Sequence, residues 1–321
     1  MKFLEKMIEQ KINQVIENQN KLFAKSFETL LLLSFKGKNI TEASKELYNS
    51  YPKAEGFIKY IQFCNLCLMK ELKEVCDSLN IKFWLHAGTL IGAIRHQGFI
   101  PWDDDVDVAM TKEDFLILKK NLTNNNKLIL EEFYNRRTCS RQYQLKFKNE
   151  LPIFIDIVQY DMTNARTPQE CEEFWLKYRT IYKKNLVKFK EKLKSNNVID
   201  VGYDMLCKYD NKTKNYVDKL IDDAITKINP SNYIENPSWY YSIENYPFSY
   251  PIMKNEELFP LLPVKFENTS FYIPNDFAKY LQPYGNIWHP PGDIGINSHV
   301  YAFESKRKII EEYCKTQKEF K

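Results

Sequence analysis

The length, composition and charge of the chain indicate a globular protein. Its 321 residues are 44% apolar and 15% aromatic, which is enough to fill a sizeable core. The 46 basic and 42 acidic side chains leave a net charge of only +4, so overall charge does not favour a nucleic acid partner. Seven cysteines, an odd number thinly spread, favour reduced thiols over a disulfide framework.

The sequence shows no pattern typical of membrane insertion or secretion. The longest apolar run, TLLLLSF at residues 29–35, is far shorter than the roughly 20 residues that a membrane-spanning helix needs. Residues 1–19 mix charges into their apolar positions and have no cleavage site. We therefore expect a soluble cytoplasmic protein, and peripheral association with the inner face of the membrane is an alternative that the sequence leaves open.

Helical periodicity and then strand patterns occupy the first half of the chain. Over residues 1–80 apolar side chains recur every three or four positions, which predicts helices that pack on their own core. Homodimerisation through the first of these helices remains open. Residues 81–161 carry short apolar or alternating runs typical of strands, with helical stretches at 89–96 and 112–120. This mixture predicts an α+β fold.

The second half of the chain is predicted to be helical and then rich in loops. Residues 170–228 carry many lysines, which favours a solvated helix face, although an anionic partner such as a membrane surface or a phosphorylated glycan is an alternative. From about residue 236, prolines and aromatic residues indicate ordered loops and short edge strands. We predict four regions, namely N-terminal helices, a catalytic core, a lysine-rich helical insert and a C-terminal region that completes the substrate site: 1–57, 58–165, 166–235 and 236–321.

The most informative stretch is HAGTLIGAIRHQGFIPWDDDVDVAM, residues 86–110, in which four aspartates fall within five positions. Aspartates repel one another and are poor strand formers, so this cluster needs something that neutralises it. Residues two apart share a face of a strand, so Asp105 and Asp107 point the same way, with Asp103 aimed similarly just before the strand. Hard oxygen ligands suit Mg²⁺ or Mn²⁺. The pattern therefore predicts a metal site.

A third metal ligand is expected on a neighbouring strand. The run LPIFIDIVQYD contains Asp156 as a lone acid among apolar residues. A carboxylate there carries a heavy desolvation cost unless it meets a metal or a cation. The alternative is a structural carboxylate that caps a loop or pairs with Arg95 or Lys146.

A cluster of glycines precedes these acids in the sequence. Gly88, Gly92 and Gly98 fall within eleven residues of a chain that has only nine glycines, which indicates close backbone approach. We predict a strand, a tight turn at Gly88 and Thr89, and then a helix whose free N–H groups and dipole favour a phosphate. A plain connection with a helix cap is the alternative. Together with the acids, this order of elements predicts a nucleotidyltransferase-like mixed sheet core with flanking helices.

Residues 88–107, GTLIGAIRHQGFIPWDDDVD, resemble the signature of the LicD/fukutin-related family nearly residue for residue. That signature is Gly-Thr-Leu-Leu-Gly followed by Arg-His-x-Gly-Phe-Ile-Pro-Trp-Asp-Asp-Asp-Ile-Asp. The segment FIDIVQYD resembles a second family motif at Asp156 and Ile157 and departs from it in the next two positions. Residues 258–291 share the family's Phe-Glu, Ile-Pro and Leu-x-x-Tyr-Gly landmarks, and His299 lies near a position where members often carry histidine.

The resemblance implies a metal-dependent transferase. Such an enzyme moves a phospho-alcohol group, phosphocholine-like or a polyol phosphate, from a CDP-linked donor to a hydroxyl of a glycan or lipid-linked glycan and releases CMP. The residues implied to hold the Mg²⁺ or Mn²⁺ ion are Asp103, Asp105, Asp107 and Asp156. Asp156 is also a candidate general base toward the acceptor hydroxyl.

The resemblance also implies contacts to the donor. Gly88 and Thr89 are expected to hold its phosphates, and His299 is a candidate for a further contact. Arg95 and Lys146 are candidates for neutralising the pyrophosphate, because a guanidinium or ammonium group stabilises developing charge.

Two other classes of function remain as alternatives. A nucleotidyltransferase that activates a sugar or alcohol phosphate with an NTP would use the same acids but release pyrophosphate. A non-enzymatic scaffold or glycan-binding module would predict the loss of a metal ligand, whereas Asp105, Asp107 and Asp156 are all present.

Overall fold

The computed structural model describes residues 26, 29–30, 33–135, 140–163, 165–190, 198–200, 206–228, 239–242, 251–288 and 300–320. Most of the predicted N-terminal helical stripe lies outside these residues, as does His299. The helices are α1 Ile40–Ser50, α2 Gly56–Leu79, α3 Ala87–His96, α4 Lys112–Leu122, α5 Pro168–Lys190, α6 Asn211–Ile228, α7 Asn255–Leu258, α8 Phe277–Tyr280, α9 Val300–Glu304 and α10 Arg307–Thr316. The strands are β1 Trp84–Leu85, β2 Asp107–Thr111, β3 Leu128–Asn135, β4 Ser140–Phe147, β5 Phe154–Thr163, β6 Val198–Asp200, β7 Leu206–Tyr209, β8 Trp239–Tyr241, β9 Met253–Lys254, β10 Leu262–Phe266 and β11 Thr269–Ile273.

A mixed sheet of nine strands organises the described part of the chain. Its main path runs β1-β2-β5-β4-β3-β7-β6, and β8 and β9 are added at the end of β5. The central pair β2 and β5 is parallel, whereas their outer neighbours β1 and β4 run antiparallel to them. Strands β10 and β11 form a separate hairpin. The predicted α+β class is confirmed, and the helices expected at 89–96 and 112–120 are α3 and α4.

One hydrophobic core joins the strand block to the C-terminal region. Buried side chains from α2, the central strands and the β10–β11 hairpin form a single cluster, which includes Leu68, Trp84, Ile155 and Phe271. Burying each such side chain contributes about 1.5–3 kcal/mol. The C-terminal segment is therefore packed against the strands that carry the predicted acids.

The lysine-rich insert has a second, smaller core. Helices α5 and α6 pack around Tyr178 and Ile221, next to Tyr134 of β3 and Cys207 of β7. Strands β6 and β7 depart from the all-helical prediction for 170–228, because β7 pairs with β3 and extends the main sheet. None of the described helices is both long enough and apolar enough to cross a membrane.

Candidate active site

The connection between β1 and α3 holds the backbone of Asp107 from both sides. The His86 N–H donates to the Asp107 carbonyl at 3.1 Å, and the Asp107 N–H donates to Thr89 Oγ1 at 2.9 Å. Helix α3 begins at Ala87, not after a turn at Gly88 and Thr89 as predicted. Ala87 has φ 44°, a left-handed conformation that costs a non-glycine residue about 1–2 kcal/mol. Strain of this kind is often found at functional sites.

Close packing explains the three glycines of the motif. A Cβ atom on Gly88 would lie 3.0 Å from Asp103 Oδ2, and one on Gly92 would lie 2.5 Å from the carbonyl oxygen of Gly98. A Cβ on Gly98 would lie only 2.0 Å from Glu267 Oε1. Helix α3 is therefore pressed against the chain that leads to the aspartates, and the Asp103 carboxylate lies against the first turn of α3.

The β10–β11 hairpin clamps the turn that follows α3. Glu267 Oε1 accepts from the Phe99 N–H at 3.2 Å, and the Glu267 N–H donates to the Gln97 carbonyl at 2.7 Å. Glu267 adopts φ 52° at the tip of the hairpin. It belongs to the Phe-Glu landmark, so this landmark supports the shape of the motif across 168 residues of chain.

The structure brings the four predicted metal ligands together. Carboxylate oxygens of Asp103, Asp104 and Asp105 lie within 4.8 Å of one another, and the charges of Asp103 and Asp105 also act on Asp107. Asp107 on β2 is in register with Asp156 on the parallel strand β5, and the Asp156 N–H donates to the Val106 carbonyl at 2.9 Å. Since adjacent strands are about 4.8 Å apart, the Asp107 and Asp156 side chains lie next to each other. The sequence predicted that Asp156 lies on a strand next to that of Asp107. The structure shows that this strand is β5 and that the two residues are paired across it.

Burial and mutual repulsion act on these carboxyl groups. Burial, followed by the charges of Asp105, Asp156 and Asp103, raises the pKa of Asp107 well above its usual range. Burial, the charge and hydrogen bond of Asp105, and the charge of Asp104 raise the pKa of Asp103 in the same way. A divalent cation would relieve this repulsion, and a donor set made only of carboxylate oxygens fits Mg²⁺ or Mn²⁺.

Asp104, whose carboxylate belongs to the same cluster as those of Asp103 and Asp105, is also bonded to neighbouring backbone and side-chain groups. Its Oδ2 accepts from the Val300 N–H at 2.8 Å, at the start of α9, and its backbone carbonyl accepts from Asn65 Nδ2 at 3.3 Å. Gln62 of α2 also donates from Nε2 to the carbonyls of Ile100 at 2.9 Å and Asp103 at 2.8 Å. These contacts fix the loop and so determine where Asp103 and Asp105 point.

Arg95 contacts residues of α1 and of the C-terminal segment. Its Nη1 donates to the Ile287 carbonyl at 2.7 Å, its Nε donates to His96 Nε2 at 3.0 Å, and its guanidinium carbon lies 4.2 Å from the centre of the Tyr48 ring. Burial, followed by the Arg95 charge, lowers the pKa of His96 to about 4, so this ring is neutral near pH 7. Arg95 thus ties α3 to α1 and to the C-terminal segment, and its contact with a donor stays a prediction.

Lys146 lies on the same face of the sheet as Asp156 and is paired with an acid. Its Nζ is 2.7 Å from Glu131 Oε2, and Glu131 is also 3.0 Å from the Nζ of Lys208 on β7. Two ammonium groups therefore share one carboxylate. A role of Lys146 in neutralising the donor's pyrophosphate stays a prediction.

Two tyrosines of the C-terminal region approach the site and were not singled out from the sequence. The Tyr280 hydroxyl is 2.6 Å from His86 Nδ1 and accepts from Trp84 Nε1 at 3.0 Å. Burial lowers the pKa of His86 to about 3, so its ring is a neutral support. The Tyr284 hydroxyl oxygen is buried and has no hydrogen-bond partner among the described residues, and burial followed by the charge of Asp107 raises its pKa. The Leu-x-x-Tyr-Gly landmark was the only signal for Tyr284.

Residues 80–198 match a family model described as LicD/FKTN/FKRP, nucleotidyltransferase domain. The resemblance to the LicD/fukutin-related family is confirmed. The matched segment contains the four predicted metal ligands and Lys146, whereas Glu267 and Tyr284 lie beyond it. The C-terminal region therefore supports the site from outside the matched segment.

Curated relatives match over short segments. An uncharacterized protein of Rickettsia prowazekii is 41% identical over 88 residues, which are 27% of this chain and 31% of that protein. The lipopolysaccharide cholinephosphotransferase LicD of Haemophilus influenzae is 46% identical over 54 residues, 17% of this chain and 20% of the relative. The human ribitol 5-phosphate transferase FKRP is 38% identical over 55 residues, 15% of this chain and 11% of the relative. The chain thus spans less than a third of the length of these relatives.

Proposed function

We propose that the protein is a LicD-type transferase that moves a phospho-alcohol group from a CDP-linked donor to a hydroxyl of a glycan and releases CMP. Two of the relatives are named as a cholinephosphotransferase and a ribitol 5-phosphate transferase, and both names describe transfer of an alcohol phosphate. The acceptor is a cell-surface glycan or its lipid-linked precursor. In this proposal the reaction takes place in the cytoplasm, with a lipid-linked acceptor presented at the inner face of the membrane.

The observation that carries this proposal is the register of Asp107 with Asp156, together with the Asp103 carboxylate at the first turn of α3. These four carboxylates would hold Mg²⁺ or Mn²⁺. When bound, the ion supplies positive charge that neutralises the donor's phosphates. The donor's phosphates would also meet the free N–H groups at the start of α3, near Gly88 and Thr89.

The protein's own groups would position the reactants and take up the proton. Hydrogen bonds from His86 and to Thr89 keep the Asp107 backbone fixed. Asp156 takes the proton of the acceptor hydroxyl as general base. The acceptor oxygen then bonds to the phosphorus that carries the alcohol, and the bond from this phosphorus to the CMP oxygen breaks. Arg95 and Lys146 are the proposed sources of positive charge toward the leaving group.

Donor hydrolysis tests this proposal directly. The protein is incubated with Mg²⁺ or Mn²⁺ and with CDP-choline, CDP-ethanolamine, CDP-glycerol, CDP-ribitol, CTP and other NTPs, and CMP and pyrophosphate are followed by chromatography. CMP from one CDP-alcohol is the expected result and names the donor. Pyrophosphate from an NTP would replace the proposal with the nucleotidyltransferase alternative. Release of neither product, with mixed cell-surface glycans added as acceptors, would contradict both.

A further inference from the structure

A row of polar side chains crosses four adjacent strands of the sheet. Asp107 on β2 is in register with Asp156 on β5, Asp156 with Gln144 on β4, and Gln144 with Glu131 on β3. Residues paired across strands share one face of a sheet, so these side chains lie next to one another. Asp156 therefore has a carboxylate on one side and the amide of Gln144 on the other.

The Gln144 amide is buried and incompletely bonded. The residue is only 2% exposed, and its Oε1 has no hydrogen-bond partner in the described part of the chain. The next member of the row, Glu131, is already bonded to Lys146 and Lys208. A buried polar atom without a partner destabilises a folded protein, so a hydrogen-bond donor from a ligand would be stabilising here.

The two ends of the row differ in what they can bind. Strand β1 and helix α3 adjoin β2, so the helix N-terminus and Asp103 lie on the Asp107 side of the row. Strand β4 lies on the other side of β5. In an in-line displacement the attacking oxygen enters opposite the leaving group. If the donor's phosphates lie at α3, the side of Asp156 that faces Gln144 is left for the acceptor.

We propose that Gln144 binds a hydroxyl group of the acceptor, adjacent to the hydroxyl that reacts at Asp156. This inference rests on the proposed function and deepens it, because it specifies an acceptor with two neighbouring hydroxyl groups, such as a sugar. A hydroxyl both donates and accepts hydrogen bonds, so it fits either end of an amide, and a neutral amide adds no charge beside Asp156. Gln144 acts here as a specificity residue that touches the substrate away from the reacting atoms.

A binding experiment tests the role of Gln144 without requiring turnover. The probes are CMP and a panel of monosaccharides, including D-glucose, D-galactose and N-acetyl-D-galactosamine, each compared with its single-deoxy analogues. Calorimetric titrations in Mg²⁺ compare the wild type with Gln144→Met, which keeps the side-chain length. Gln142→Met is the matched control, because Gln142 is half-buried two residues away on the same face of β4.

We expect Gln144→Met to weaken binding of the recognised sugar about tenfold, because the sugar hydroxyl loses its hydrogen bond to the amide. CMP binding should be unchanged. One deoxy analogue should bind the wild type as weakly as the variant binds the parent sugar. The melting temperature of the ligand-free variant should stay equal or rise, because an unpaired buried oxygen is removed, whereas a purely structural glutamine would lower it on substitution. Gln144→Asn, which keeps the amide but shortens its reach, gives the same comparison if the methionine variant does not fold.

Equal sugar affinity in the wild type and Gln144→Met, or no sugar bound by the wild type, would overturn the inference. Sugar binding that depends on Gln144, in a protein that neither binds CMP nor releases it from any donor, would support the role of Gln144 and contradict the proposed function. The two failures are therefore distinguishable.

Discussion

Two groups of carboxylates in the structure have pKa values that shift in opposite directions. We call Asp103, Asp105, Asp107 and Asp156 the acid end, and Glu131 with Lys146 and Lys208 the lysine end. At the acid end, burial and neighbouring aspartates raise the pKa values of Asp103 and Asp107. At the far end, burial acts to raise the pKa of Glu131, but the hydrogen bonds and charges of Lys146 and Lys208 outweigh it and lower the pKa. In the proposed function the acid end receives a cation from outside, whereas the lysine end carries its own ammonium groups. The sign of the neighbouring charges therefore separates a candidate binding site from a structural ion pair.

A separate set of ion pairs fastens helix α6 of the insert to the sheet. Glu132 lies 2.8 Å from the Nζ of Lys214 on α6, and Arg141 Nη2 lies 2.8 Å from Asp222 on the same helix. Partly exposed pairs of this kind contribute about 0–1 kcal/mol each. Because successive residues of a strand point to opposite faces, these pairs hold α6 on the face of β3 and β4 opposite to Glu131 and Gln144.

The largest expected effect comes from changing an acid to its amide at the acid end. Asp107→Asn should lower the rate of CMP release about a thousandfold, because a removed charge costs the transition state more than the ground state. The ligand-free variant should be at least as stable as the wild type, because the substitution relieves repulsion among the buried acids. Initial rates of CMP release measure the first effect, and thermal unfolding curves measure the second. Asp77→Asn, an exposed acid paired with Lys73, is the control, and retained activity in Asp107→Asn would refute the site assignment.

Divalent cations should stabilise the folded protein only by binding at the acid end. At a Mg²⁺ or Mn²⁺ concentration about 100 times the dissociation constant, the free energy of unfolding should rise by about 2.7 kcal/mol, and a chelator should reverse the gain. Asp105→Asn should remove most of this gain, whereas Glu131→Gln should keep it. Urea unfolding with and without the ion measures it, and a gain that survives Asp105→Asn would place the ion elsewhere.

The backbone that supports the acids should tolerate little added volume. Gly92→Ala should lower the free energy of unfolding by about 1–3 kcal/mol, because the new Cβ meets the backbone carbonyl oxygen of Gly98, which cannot move independently. Gly88→Ala meets only the Asp103 carboxylate and should cost less stability. Urea titrations of both variants test this order, and equal losses would contradict it.

The smallest expected effect lies at the lysine end. Glu131→Gln should cost about 0.5–1 kcal/mol at pH 7, because Lys146 and Lys208 lose their shared partner. The folded-state pKa of Glu131 is lowered, so its contribution is present above the unfolded-state value and is lost as the pH falls through the folded-state value. Urea unfolding at pH 7 and pH 3 should therefore show a smaller difference between wild type and variant at pH 3 than at pH 7. A constant difference would argue against the ion pairs as its source.

Part of the site is readable from the sequence because its signals are local. The glycines, Thr89 and the aspartates of the motif fall within twenty residues, and the period of two in a strand and the start of a helix depend mainly on neighbouring residues. The start of α3 was nevertheless predicted slightly too late, because Ala87 adopts a left-handed conformation that sequence does not suggest for alanine. Strands β6 and β7 were missed because each is short and is held by pairing, β7 to β3 and β6 to β7.

The sequence by itself determined the fold class, the set of acids and the resemblance that interprets them. Only the tertiary structure decided which distant residues meet: Gln144 beside Asp156, Glu267 on the Phe99 amide, and Glu131 as the partner of Lys146. The physical reason is that register across strands and contacts between distant segments follow from packing of the whole core. A glutamine on β4 carries no sign in the sequence that its amide will be buried beside a carboxylate.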